Sequence, residues 1–299
     1  MKRIIALLLA FSMILPAFCA FDPAKSDELF YQKEDFAADY QYLEESLAQA
    51  ADDEEKSEIL WRLSRNVLTQ GDQLDKKDKD GRFAKYEEAE RLANESLSLV
   101  ENPNAYHWRS SAVGRWGQTK GPLDSLGKAR PMLEDTLKVV DDFNYDYTDS
   151  WYVLGLLYNQ LPGSPISFGN KNYAISYMRR SLDTQIPGRG LFLTLYLELS
   201  DQLWKRNWNA DKRSREFDKM KPLYEENTTP SEKMKYYEGA NGKNGVPFYS
   251  TVNLGSISDR QEAVMLLQYA IAVYNLKSDH LASETERYNE INARLQERT

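Results

Sequence analysis

The feature that most restricts the fold is a recurrence. Trp151, Leu154, Gly155 and Tyr158 are spaced W-x2-L-G-x2-Y, and looser copies, each opening on a large ring, begin at Trp61, Trp108 and Phe192. These anchors lie 47, 43 and 41 residues apart. Each interval has room for two helices and their connections, and the apolar face of one such pair cannot be buried by that pair alone. Neighbouring pairs must therefore stack around a continuous core. The second helices are expected at residues 86–97, 126–140, 173–181 and 211–224. In the third, Ala174, Met178 and Ser181 have packing spacing, and Pro187 ends the helix.

The flanking segments are helical too. Phe36, Tyr40, Leu43 and Leu47 recur at helical intervals, and the acidic residues 52–55 suit the start of a helix carrying Ile59, Leu60, Leu63, Val67 and Leu68. No convincing period-two strand is present, so the expected class is all-α. Thr229, Pro230 and Glu232 mark a short helix start, and residues 239–256 are rich in turn formers. Ser258 and Gln261 make a capping-box pattern ahead of an apolar helix through Val264, Leu267 and Val273. Residues 278–298 are sparsely apolar and are expected to form a solvated capping helix. The expected division is a leader at 1–20, repeats at 21–225, and an irregular loop with capping helices at 226–299.

Lys2 and Arg3 precede an apolar run over residues 4–15, then Pro16, Ala17, Cys19 and Ala20, the pattern of an export signal. The run is shorter than the ~20 residues that span a bilayer, so a soluble, exported and periplasmic protein is expected. Cleavage is expected near Cys19 or Ala20; acylation of Cys19, the alternative, would add a lipid anchor and with it the one route to the membrane. Cys19 is the single cysteine, which excludes a disulfide scaffold. With 38 Lys and Arg against 46 Asp and Glu, the formal net charge is −8, and nucleic acid is not an expected partner.

The Trp151 helix resembles the first helix of a tetratricopeptide repeat at every specified position. Residues 59–65 (ILWRLSR), 86–89 (YEEA), and His107 with Trp108 resemble the regulator of microtubule dynamics family of tetratricopeptide proteins and its secreted bacterial relatives over residues 36–225. The insertion at 162–171 is similar to the one those bacterial relatives carry between paired helices. That resemblance implies a non-enzymatic interaction protein; it does not transfer a microtubule partner to an exported chain. The same insertion, with residues 260–267 (RQEAVMLL), also looks like the periplasmic T component associated with TRAP transporters, which implies a repeat protein handling an apolar small ligand.

Counted from the tryptophan anchors, the general repeat pattern places Arg62, Asn66, Thr69 and Gln70, then Tyr106, Arg109 and Trp116, then Tyr152, Asn159 and Gln160, and finally Ser200 and Asp201 along a concave groove. Arg62, Asn66, Tyr106, Arg109, Trp116, Tyr152 and Asn159 are the candidate binding residues, since aromatic anchors and forked arginines suit a peptide or an extended ligand with a carboxylate. Arg62 and Asn66 also match half of a carboxylate clamp, whose other half Asp149 and Val153 do not supply. Trp204 and Trp208, four apart, are expected to be packing residues, with a ligand platform as the alternative. Asp78, Asp80, Gly81, Phe83 and Glu87 fall on positions of a calcium loop, but Lys76 stands where the first carboxylate belongs, so a charged insertion is expected.

Catalytic parts are missing. The two histidines, His107 and His280, have no metal-ligand spacing, His107 being read as a packing or rim residue, and Gly114, Gly117 and Gly121 are wrongly spaced for a phosphate loop. No enzyme, metal or cofactor is expected. The expected function is an exported tetratricopeptide-like α-solenoid of about four hairpins with C-terminal capping helices, binding a protein or peptide in its groove. The alternative is a transporter-associated component that handles a small apolar ligand.

Overall fold

The computed structural model describes residues 21–121, 126–185, 189 and 191–299. The leader with Cys19, and Pro187, lie outside these residues. All regular structure among them is helical.

The chain opens with α1 (Pro23–Asp27), prolonged by a wide turn, Glu28–Gln32, and then α2 (Phe36–Leu47). Next come α3 (Asp53–Gln73) and α4 (Lys79–Leu99), α5 (Pro103–Lys120) and α6 (Leu126–Leu137), and α7 (Thr148–Gln160) and α8 (Lys171–Asp183). Starts follow local chemistry. Asp52, Asp78 and Asn102 each accept a backbone N–H three residues on, so the carboxylate of Asp78 caps α4.

These six helices form three antiparallel pairs. Ser57 near the start of α3 bonds Ser96 near the end of α4 at 2.8 Å, and Ser64 donates to Ala89 O at 2.7 Å. Ser110 of α5 and Thr136 of α6 are 3.0 Å apart, and Ser181 of α8 donates to Thr148 O of α7 at 2.7 Å. Short hydroxyls at these crossings let the helices approach, and each finds its own hydrogen-bond partner on the facing helix. Between the pairs lie successive apolar layers. One gathers Leu43, Trp61, Tyr86 and Trp108; the next gathers Tyr106, Leu133, Trp151 and Tyr177. Each fully buried Leu or ring contributes about 1.5–3 kcal/mol against remaining exposed.

The fourth pair departs from expectation. After α9 (Leu193–Arg206) comes α10 (Ala210–Glu226), but α10 buries only Phe217, Met220 and the arginine Arg213. Those two apolar residues meet Trp208, Leu254 and Ile257, so α10 leans on the turn-rich segment. The partner of α9 comes later. After α11 (Pro230–Met234), α12 (Asp259–Leu276) lays Ala263, Leu266, Leu267 and Ala270 against Leu195, Leu199 and Leu203, and Ser200 donates to Ala263 O at 2.6 Å. α12 offers a full apolar stripe where α10 offers two residues, and the hydrophobic term decides the pairing. α13 (Ala282–Gln296) closes the same core through Ile291. Ser258 and Gln261 do form the capping box of α12.

The excursion between α9 and α12 is held by buried ions. Arg179 of α8 reaches Glu238 (2.9 Å) and Glu262 (2.5 Å), Arg213 of α10 reaches Glu262 (2.5 Å), and Arg206 of α9 pairs with Asp259 (2.8 Å) and Glu238. Tyr249 adds a hydroxyl to Glu262 at 2.5 Å. Burial raises the Glu262 pKa, and Arg179 and Arg213 more than reverse it, holding the carboxyl far below its usual range.

Candidate functional site

Three glycines set the geometry of the inner face. A Cβ on Gly71 would stand 2.8 Å from Tyr86 Cε1, on Gly114 2.7 Å from Met132 Cε, and on Gly155 2.8 Å from Met178 Cε. Each therefore marks the point where a first helix touches the second helix of its own pair. At about 100° per residue, facing the partner there also fixes the adjoining flank of each first helix, roughly 60–100° round from the glycine. The residue after each glycine is Asp72, Arg115 or Leu156, and three before each stands Leu68, Ser111 or Tyr152. All six line one cavity of about 1060 Å³.

That chamber also takes walls from the ends of the described chain. Phe30, Tyr31 and Phe36 enter from the N-terminal segment, Arg189 and Phe192 from the approach to α9, and Glu284 and Arg287 from α13. The backbone N–H of Ser283 donates to Glu34 Oε2 at 3.2 Å, and the Arg189 guanidinium sits 4.3 Å from the Tyr31 ring centre. First and last elements thus meet across the mouth. Glu284, buried, pins the start of α13 by accepting from the N–H of Leu191 (2.7 Å) and of Leu281 (3.0 Å) and from Lys277 (2.7 Å).

The lining combines rings with ion pairs. Tyr152 packs edge-on against Phe192 at 5.4 Å. Arg115 donates to Asp72 Oδ2 (2.9 Å) and to Gln118 (3.0 Å), and Arg189 to Asp149 (3.0 Å) and the Tyr147 hydroxyl (2.9 Å). Burial would lower the Arg115 pKa, but Asp72 and nearby phenols outweigh it, so the guanidinium stays charged. Burial pushes the Tyr152 phenol up and keeps it a donor. His107 is buried, with Nδ1 3.1 Å from Ser150 Oγ and Nε2 3.4 Å from Ser111 Oγ. Its burial lowers its pKa to about 4, against the opposing pull of Asp149, so the ring is neutral at pH 7. No group of His, Cys, Asp and Glu suited to hold a metal ion occurs among the described residues.

No protein-family model and no curated protein sequence matches the chain.

Of the seven candidate binding residues, Tyr152 lines the chamber, and the other six do not stand with it. Arg62 lies over the Trp61 ring at 4.0 Å and pairs with Glu58 at 2.6 Å. Asn66 donates to Phe36 O and Asp39, both at 2.9 Å, covered by α2. The Tyr106 hydroxyl donates to Glu101 at 2.9 Å, and Arg109 grips Asp135 with a fork at 2.7 and 2.5 Å. Trp116 bonds Glu87 on α4 at 3.1 Å, and Asn159 takes the Lys171 ammonium. The reason is register. Trp151 precedes its glycine by four residues, but Trp108 stands six before Gly114 and Trp61 ten before Gly71. Arg62, Asn66, Tyr106, Arg109 and Trp116, counted from Trp61 and Trp108, therefore rotate off the inner face, although Thr69 from the same count lines it; Asn159, counted from Trp151, is in register and is taken instead by Lys171. Trp204 and Trp208 share no helix either, since Asn207 turns left-handed (φ 56°) after α9 and sends Trp208 into the α10 layer.

Asp72, Ser111, Arg115 and Leu156 were legible only through the glycines: Gly71, Gly114 and Gly155 repeat at 43 and 41 residues. The walls from residues 30–36, 189, 191–192 and 281–290 carry no local signal, because distant segments bring them together.

Proposed function

We propose that the chain is a tetratricopeptide-like α-solenoid of four helical hairpins, exported by its leader, that performs no reaction and holds a peptide segment of a partner protein in its concave chamber. The observation that carries this reading is the single inner face on which Asp72, Arg115, Tyr152 and Leu156 converge from three successive pairs. Aromatic and aliphatic surface takes side chains, while interleaved guanidinium and carboxylate groups take backbone and polar groups. The volume suits several residues of an extended chain and lies at the upper end of small-molecule pockets, typically about 300–1,000 Å³.

A second reading rests on the apolar part of the lining. Leu68, Val153, Leu156 and Phe192 also suit a discrete apolar molecule, as a transporter-associated component would require.

The test is recovery of partners from an envelope extract by the mature protein, by Leu156→Arg, and by the double variant Arg62→Ala, Arg109→Ala. A charge in the chamber should abolish recovery, and the double variant should keep it. Equal recovery by all three proteins would remove the chamber from the function.

A further inference from the structure

The chamber's acids are largely spoken for, and its donors are not. Asp72 is held by Arg115 and by the Tyr86 hydroxyl (2.7 Å), Asp149 by Arg189, Glu284 by two backbone N–H groups and Lys277, and Glu290 by Arg287. Glu286, exposed at the rim, is the exception among the lining acids. By contrast, Arg115 keeps a donor for a ligand: its Nε and Nη1 are engaged, and its side chain keeps 37% of its surface open. The phenol of Tyr152, a neighbour of Arg115, completes the set on the same face. Around these donors stand Phe36, Leu156 and Phe192, which offer no polar group.

We infer that the chamber recognises a carboxylate carried on an aromatic or aliphatic body, the head accepting from Arg115 and Tyr152 and the body lying on Leu156 and Phe192. This deepens the proposed function and rests on it. Two sources present that chemistry, the free C-terminal end of a peptide and a free organic acid, and both fit a chamber of this volume.

The experiment is titration calorimetry of the mature protein with four probes: octanoate, octanamide, and an acetylated peptide of four alanines followed by Leu and Phe, as free acid and as C-terminal amide. The expected result is that one acid binds at least about tenfold more tightly than its amide, since a charge-assisted bond is lost with the carboxylate. Which acid does so identifies the source. Arg115→Gln should remove that preference. Tyr152→Phe, which keeps the ring and deletes only the hydroxyl, should reduce it, with unchanged circular dichroism showing that both variants fold. An acid and its amide binding equally would overturn carboxylate recognition and leave the chamber as a binding site. Failure of all four probes to bind would overturn both.

Discussion

At the residue scale, buried charge decides more than exposed charge. His107 has its pKa depressed to about 4 by burial, from the ordinary 6.5. Above pH 6.5 both folded and unfolded chains carry it neutral, so it costs nothing there. As pH falls from 6.5 to about 4, the unfolded chain binds a proton that the folded chain refuses, and stability is lost, by about 3 kcal/mol in all. Denaturant titrations across that window should show the loss, and His107→Gln should flatten it whatever its own cost at pH 7. Glu262 acts in a different window: its folded pKa is depressed, so its contribution is complete above about 4.5 and fades as pH falls below it. Glu262→Gln leaves Arg179 and Arg213 under-compensated in a dry setting and should cost about 3–5 kcal/mol in urea unfolding at pH 7. Arg109→Ala, losing a largely buried fork to Asp135, should cost less, about 1–3 kcal/mol.

At the element scale, the pairing of helices follows which stripes are apolar and which positions are small. Helix-forming periodicity was readable at α2, α3 and α7, and so were the caps at Asp52 and Ser258, because these depend on neighbours in sequence. The partner of α9 was not, because α10 and α12 are both helical and only the count of buried apolar residues separates them. Inner-face residues were readable where Trp151 and Gly155 keep register, and lost where Trp61 and Trp108 drift from Gly71 and Gly114. A ring can be buried at several heights on a long helix, whereas a close crossing tolerates a bare Cα at one height. Alanine at each glycine should therefore grade by its neighbour. Alanine gains about 1 kcal/mol of helix propensity. At Gly114 the new methyl meets only the flexible end of Met132, so the change should be near neutral. At Gly71 it meets the Tyr86 ring and Lys85 Cβ (2.9 Å), and a net loss of about 1–2 kcal/mol is expected. Thermal unfolding of the two variants checks the order.

At the scale of the whole molecule, residues of the N-terminal segment and of α13 line one chamber and meet at the Glu34–Ser283 bond. Each wall is tied to its own neighbours, the N-terminal one through Arg65, Asp27, Ser26 and Asp39, the other through Glu284. Among the described residues, the Ser283 N–H bond to Glu34 joins the two walls, and Arg189 over Tyr31 ties the N-terminal one to the approach to α9. The central claim is that contact with a partner is made on the glycine-facing register, at Tyr152, and not on the register counted from Trp108, at Tyr106. Site-specific photocrosslinking measures this directly, with benzoylphenylalanine placed at Tyr152 in one strain and at Tyr106 in another and the adducts resolved from intact cells. The account predicts an adduct from position 152 and none from position 106; an adduct from 106 with none from 152 would contradict it.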